Sequence, residues 1–276
     1  MAEGWHARLA LTAQHDGVAT RVQARHDGPL RLLKTLYPEG QAVAHAVLVH
    51  PPGGLVGGDR LDIDIDVRPG AHLLVTTPAA TRFYRSIAGE AAQAVTARVA
   101  AGARLEWLPQ ETIVYSGCEA RNEVRLQLDP GASLIAGEVL ALGLPAAGQA
   151  FERGRMLQHL EIAGRWLDRG WLDAADAALL DGPCGLAGHR VLGTLACAQT
   201  EALLDVQALL DDSRAAMGGV ALSGVTHLAG PHGALVLARA VGDEVEAVAL
   251  ALRRVRALWR ERLWGLPAGD PRIWAT

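Results

Sequence analysis

The chain has 276 residues, 50% of them hydrophobic, and a formal net charge of −4. It is long enough to bury a sizeable core and too apolar for wholesale disorder, and a pI near 6.2 makes it a poor nucleic-acid binder, because phosphate contacts need a basic surface. No apolar run approaches the roughly 20 residues that span a bilayer, and Glu3, His6 and Arg8 stand where a signal peptide would be apolar, so no membrane is expected as a partner and a cytoplasmic protein is expected.

The 31 glycines and 13 prolines, beside two Phe and three Tyr, imply many turns between short elements and hence β structure. Basic charge is almost all Arg, with Lys34 the only lysine, as a GC-rich genome produces. Cys118, Cys184 and Cys197 are odd in number and widely spaced, which fits neither a disulfide framework nor a zinc ribbon; each is read as a buried apolar cysteine.

In chain order, the first strong element is Leu61–Val67. Its apolar residues alternate with Asp62, Asp64 and Asp66, as in a strand with one buried face. Gly57, Gly58 and Asp59 form a turn before it, and Pro69 and Gly70 a turn after it. From there a repeat appears. Gly70-Ala71, Gly102-Ala103 and Gly131-Ala132 each follow an apolar residue (Val67, Val99, Leu128), and each is followed by a leucine (Leu73, Leu105, Leu134) that opens an apolar run. A period of about 30 residues marks stacked supersecondary units that cover one another's hydrophobic faces. Tyr84 and Tyr115 fall at similar offsets after two of these turns and read as one aromatic per layer.

The last third differs. Residues 201–217 place Leu203, Val206, Leu210 and Met217 at helical spacing before the stop Gly218-Gly219. Residues 220–241 read as two short strands around a turn at 229–233. Residues 243–264 carry a stripe of Val245, Val248, Leu252, Val255 and Trp259. Their acids lie in the first turn and Arg253, Arg254, Arg256, Arg260 and Arg262 further on, which matches the helix dipole. The predicted fold is therefore mostly β, a β-solenoid-like stacked array over residues 1–200 and 218–241, with two α-helices in the C-terminal third. Without a long linker, residues 1–276 read as one domain.

Standard catalytic signatures are missing: there is no GxxxxGK[ST], HExxH, GxSxG or CxxC. The glycine-rich loop from His50 to Asp59 precedes a strand, whereas a phosphate loop needs a following helix to aim its N–H groups. Its glycines, Gly53, Gly54, Gly57 and Gly58, read as backbone at a tight bend, and with His50 and Asp59 beside them the loop is a candidate docking or metal-passage surface. The ten histidines are scattered, without HxH or HxxxH spacing, so no closed metal cage is announced; His227 and His232 merely flank one turn. Asp62, Asp64 and Asp66 are either a solvated face or a polar interior wall. Glu106, Glu111 and Glu138 would extend such a wall, and oxygen donors of this kind hold a hydrated divalent ion weakly enough to let it move on.

Four blocks together resemble one known family. Pro52–Asp59 (PGGLVGGD), Thr77–Ser86 (TPAATRFYRS), Gly102–Ile113 (GARLEWLPQETI) and Pro271–Trp274 (PRIW) are similar, in order, to the UreD (UreH) family of urease accessory proteins. The resemblance implies a stacked β fold with a couple of helices and a non-enzymatic chaperone for nickel insertion. The implied partners are UreF, the GTPase UreG and urease apoprotein, with no tightly bound cofactor and Ni2+ only in transit. On this reading the nickel path is sought among His50, Asp59, Asp62, Asp64, Glu106, Glu111 and Glu138. Partner contacts are sought at Gly53, Gly54, Gly57, Gly58, Arg82, Tyr84, Arg260, Arg272 and Trp274, with the C-terminal helix and tail meeting UreF. Two positions depart from the family pattern: Leu144 replaces an Arg and Gln149 a Glu, which ranks Glu138 below Asp59 and Glu106. Two other classes are weighed. A cupin-like metal-dependent enzyme would need clustered histidines, and a β-solenoid binding module without a metal role would need none of the carboxylates.

Overall fold

The three Gly-Ala turns set the architecture. In the computed structural model, which describes residues 4–201, 203, 205–231 and 233–275, each is a β-turn closed by one backbone bond. Ala71 N donates to Arg68 O at 3.1 Å, Ala103 N to Ala100 O at 2.9 Å and Ala132 N to Asp129 O at 3.0 Å. Gly70, Gly102 and Gly131 have φ of 73°, 70° and 85°, the value a type II turn requires at its third residue, and Pro69 and Pro130 occupy the second. The turns stack: Gly102 N donates to Gly131 O at 3.0 Å.

Each turn joins two facing sheets. The chain begins with β1 (His6–His15), β2 (Thr20–Asp27), β3 (Arg31–Leu36) and β4 (Val43–Val49). Three coils follow. The first is β5 (Arg60–Val67), β6 (His72–Thr76) and β7 (Thr81–Phe83). The second is β8 (Ala91–Val99), β9 (Arg104–Trp107) and β10 (Thr112–Val114), and the third β11 (Cys118–Leu128) and β12 (Ser133–Leu142). A hairpin, β13 (Gly154–Ile162) and β14 (Trp166–Asp173), leads through the one-turn helix α1 (Ala177–Leu180) to β15 (Val191–Gln199). Then come α2 (Val206–Ala216), β16 (Leu222–Gly230), β17 (Gly233–Gly242) and α3 (Val245–Trp264).

The first sheet has the order β14-β13-β11-β8-β5-β1-β2 and the second β16-β17-β15-β12-β9-β6-β4-β3. Neighbouring coils pair in parallel, and Leu55, Phe83, Val114 and Leu142 stack along a third side. This is the β-solenoid-like stack that the repeat predicts. Between the sheets, Leu9, Ile63, Val95, Val124 and Leu160 form a buried ladder in register, opposed by Leu73, Leu105 and Leu134. Each such side chain contributes about 1.5–3 kcal/mol by leaving water.

The same alternation decides the aspartates. With Leu61, Ile63 and Ile65 buried, Asp62, Asp64 and Asp66 point to solvent; Asp62 pairs with Arg60 and His6, and Asp66 with Arg68. They are a solvated face and do not form an interior wall.

The outer face of the second sheet is covered by α2 and α3. The stripe of Val248, Leu252, Val255 and Trp259 packs there against Leu74, Ile135, Cys197 and Val236. Helix α2 begins at Val206, later than residue 201, because Asp205 caps it by accepting from Ala208 N at 3.0 Å. Residues 202 and 204 of the predicted helix, and His232, lie outside the described residues. Tyr84 and Tyr115 stack with ring centroids 4.8 Å apart, one per coil. Cys118 and Cys197 are buried as expected, but Cys184 is exposed, since it sits in the loop after α1. No helix among the described residues is long and apolar enough to cross a membrane.

Candidate functional site

An interior polar row crosses the stack. Gln93, Asn122 and Gln158 occupy matching positions on β8, β11 and β13, with side chains between the sheets. Opposite them β12 turns Glu138 inward, in the alternation that also buries Leu134, Ala136 and Leu140. Gln93 Nε2 donates to Asn122 Oδ1 at 3.0 Å, and Asn122 Nδ2 to Glu138 Oε1 at 3.0 Å and Gln158 Oε1 at 3.2 Å. Gln158 Nε2 closes the cluster on Glu138 Oε2.

None of the groups that perturb Glu138 is a cation. Burial pushes its pKa up to about 8, helped by the charge of Asp168, against the hydrogen bonds from Asn122 and Gln158. At neutral pH it is therefore held mainly as a neutral acid. An arriving cation would release that proton and gain a carboxylate.

Gln93 also borders a cavity of about 110 Å³, lined by His50, Gly54, Leu61, Thr81 and Trp107 among others. That volume has room for several water molecules, each needing roughly 10–15 Å³ of such space. Both ring nitrogens of His50 and Nε1 of Trp107 are buried without a hydrogen-bond partner. Burial lowers the pKa of His50, against the pull of Asp59, which favours the neutral imidazole with a free lone pair.

The loop from His50 to Asp59 shapes this cavity, and its residues carry backbone duties. Asp59 is buried; its Oδ1 accepts from Trp5 N at 2.8 Å and its Oδ2 from Val56 N at 2.9 Å. A Cβ at Gly54 would lie 2.3 Å from the Tyr84 ring, so this glycine lets loop and ring touch. Gly53 O accepts from Arg82 Nη1 at 3.3 Å, and Gly57 and Gly58 run on against Ala88 and Gly4.

Glu106 belongs elsewhere. On β9 it faces outward, under α3, and is completely buried. Arg256 Nε donates to its Oε2 at 2.8 Å, while His72 Nε2 lies 3.0 Å and Arg260 Nη1 3.4 Å from its Oε1. Arg260 pairs in turn with Glu39, whose Oε1 lies 2.7 Å from His45 Nε2. Burial alone would raise the pKa of Glu106, but Arg256, His72 and Arg260 outweigh it and hold it near 2. Arg256 Nη1 also donates to Gly269 O at 2.9 Å, and Trp274 Nε1 to Thr76 Oγ1 at 2.7 Å, so the cluster ties helix and tail to the sheet.

The structure thus separates residues that the sequence reading grouped. Glu138 and His50 border the interior polar region, Glu106 lies on the opposite face of the second sheet, and Asp62 and Asp64 are outside. Glu111 is half-buried in a surface groove beside Gln110 and α3. Arg260, expected at a partner surface, is completely buried because α3 presses it onto Glu39 and Glu106. Arg272 is exposed and Trp274 half-buried under Arg253, whose guanidinium lies 4.5 Å from its ring. Leu144 and Gln149 face each other across one tight loop, bonded through their backbones (Leu144 N to Gln149 O, 2.7 Å), and take no part in the Glu138 cluster. Among the described residues no group of three or more His, Cys, Asp or Glu could hold a metal.

Sequence reasoning missed Gln93, Asn122, Gln158 and Trp107 in the interior, and Glu39, His45, His72 and Arg256 beneath α3. A signal for two of them was present: Gln93 and Asn122 stand at the same offset before Gly102 and Gly131, so the second and third coils repeat an inward amide, where the first has Leu61.

The chain matches the family model of the UreD urease accessory protein over residues 5–275. It is 53% identical over 273 residues to the urease accessory protein UreD of Paracidovorax citrulli (strain AAC00-1), covering 98% of this chain and 99% of the relative. Identity to that of Leptothrix cholodnii (strain ATCC 51168 / LMG 8142 / SP-6) is 50% over 276 residues, covering 99% of each. To that of Variovorax paradoxus (strain S110) it is 49% over 274 residues, again covering 99% of each.

Proposed function

The chain belongs to the UreD family of urease accessory proteins, and from that premise we propose that it serves urease maturation as a scaffold passing nickel through its interior polar row. The observation that carries this reading is Glu138: a buried carboxyl ringed by amides and left without a cation. The route runs from the cavity beside His50 and Trp107 past Gln93 and Asn122 to Glu138 and Gln158. Its donors are one imidazole, amide oxygens and one carboxyl, with no thiolate among them. A borderline cation such as Ni2+ is held weakly by such a set and exchanges readily, as transit requires.

The relatives are named accessory proteins, in keeping with a chain that carries no catalytic signature. UreF, UreG and urease apoprotein are the proposed partners. The glycine-rich loop with Arg82 and Tyr84, and the tail with Arg272 and Trp274, are the proposed docking surfaces. Asp59 acts as a clamp on the loop, and Asp62 and Asp64 lie off the route.

The test is co-expression with urease subunits and the other accessory proteins, followed by nickel analysis of purified urease. Glu138→Leu and Asn122→Leu are expected to lower nickel per active site and activity together, while Asp64→Ala leaves both unchanged. Full nickel loading with Glu138→Leu would overturn the interior route.

A further inference from the structure

The two ends of the stack are finished differently. At the N-terminal end the sheets close on each other: β2 lies against β3 and β4, Tyr37 donates to Thr20 O at 2.9 Å and Thr20 Oγ1 to Ala42 O at 2.7 Å. The edges there are also blocked. β2 carries Arg21, Arg25 and Asp27, and β3 has a bulge between Leu32 and Lys34, the chain's only lysine. Charges, bulges and lysines are the usual means by which edge strands avoid pairing.

At the other end the second sheet runs one strand too far. β14 ends the first sheet and faces β17, through the Arg239–Asp168 pair and Arg239 over the Trp166 ring at 5.9 Å. β16 lies beyond β17, and among the described residues no strand of the first sheet stands opposite it. Leu222 (46% exposed) and Leu228 (40%) project from the face that would otherwise turn toward a first-sheet strand. Beside this ledge β14 has a free edge with neither bulge nor proline, and Leu167 and Trp171 on it are exposed. Of the three charges on β14, Asp168 is matched by Arg239 and the Asp173 carboxylate accepts from Ala175 N at 2.8 Å, which leaves Arg169. Arg165 and Arg169 have no carboxylate partner among the described residues.

We propose that the free edge of β14 accepts an extended segment of another protein as an eighth strand of the first sheet. Side chains of such a strand alternate between faces. Those turned inward would cover Leu222 and Leu228 and must be apolar. Those turned outward meet Arg169 and are best acidic. A second copy of this chain paired antiparallel in the register centred on Arg169 would set two Arg169 side chains opposite each other, and like charges across strands destabilise. A strand on the edge of β16 would only lengthen the overhang.

The test uses the full chain and two acetylated nine-residue peptides, one alternating valine and glutamate, the other valine and lysine. Hydrogen exchange is read by mass spectrometry. The acidic peptide should slow exchange across Leu167–Trp171 at least tenfold, the basic one not at all. Leu222→Glu with Leu228→Glu, both surface changes verified by circular dichroism, should weaken the acidic peptide about tenfold; Leu222→Ser serves if the double variant fails to fold. The proposal is overturned by no slowing, by equal slowing with both peptides, by protection of β2 instead, or by unchanged affinity in the ledge variants. Concentration-dependent protection of β14 without peptide would also overturn it, in favour of a second copy.

Discussion

Glu106 and Glu138 sit on neighbouring strands of one sheet, β9 and β12, and both are buried, yet the fold treats them in opposite ways. Glu106 turns toward α3, where Arg256, Arg260 and His72 hold it ionised, with a pKa near 2. Glu138 turns toward the space between the sheets, where it meets only amides and is pushed up to about 8. Burial is common to both; the partners decide. A carboxylate saturated by guanidinium groups has no donor to spare and serves as a lock for helix and tail. A carboxyl hydrogen-bonded only by amides remains able to exchange a proton for a cation.

The difference is most directly broken at the lock. Arg256→Met leaves Glu106 buried beside a weakened set of cations and should cost about 3–5 kcal/mol in denaturant unfolding. A loss under about 1 kcal/mol would mean that the cluster is not a lock. Acid tests the same group. Its folded pKa lies below the reference value of 4.5, so its contribution is present above that pH and disappears as pH falls toward 2. The loss should be on the order of 3 kcal/mol across that window, and Glu106→Gln should flatten it.

Glu138 carries the opposite sign. Its folded pKa lies above 4.5, so the wild-type chain loses stability as pH rises from 4.5 through about 8. Glu138→Gln should therefore be more stable than wild type at pH 9, by on the order of 5 kcal/mol, with the gap closing near pH 5. Equal melting curves at pH 9 would place a compensating charge beside Glu138 and remove the contrast. The smallest effect sharpens it as a control. Gly102→Ala places a side chain at φ 70° in the central turn and should cost about 1 kcal/mol without altering either pH profile.

Much of the fold was legible in the chain itself. The Gly-Ala period reports local turn geometry, since a positive φ at the third residue of each turn selects glycine wherever the stack reverses. The stripe from Val245 to Trp259 is equally local, whereas the Asp205 cap that starts the preceding helix was not read from the chain. Tyr84 and Tyr115 followed from the same period. The site was legible only in part. His50 and Glu138 were named, but Asp62 and Asp64 were grouped with them, although alternation already divides that strand into two faces. The amides Gln93, Asn122 and Gln158 escaped notice because neutral side chains carry no charge signature.

Sequence alone determined the period of the coils, the turns that make it, the alternation within each strand and the two long helices. These depend on neighbours a few residues away. Only the tertiary structure decided which face of each strand became the space between sheets and which became the floor beneath α3. That choice rests on contacts such as Arg256 with Glu106, separated by 150 positions along the chain. No local pattern encodes the identity of so distant a partner, and it is the partner that makes one buried glutamate a lock and leaves the other open.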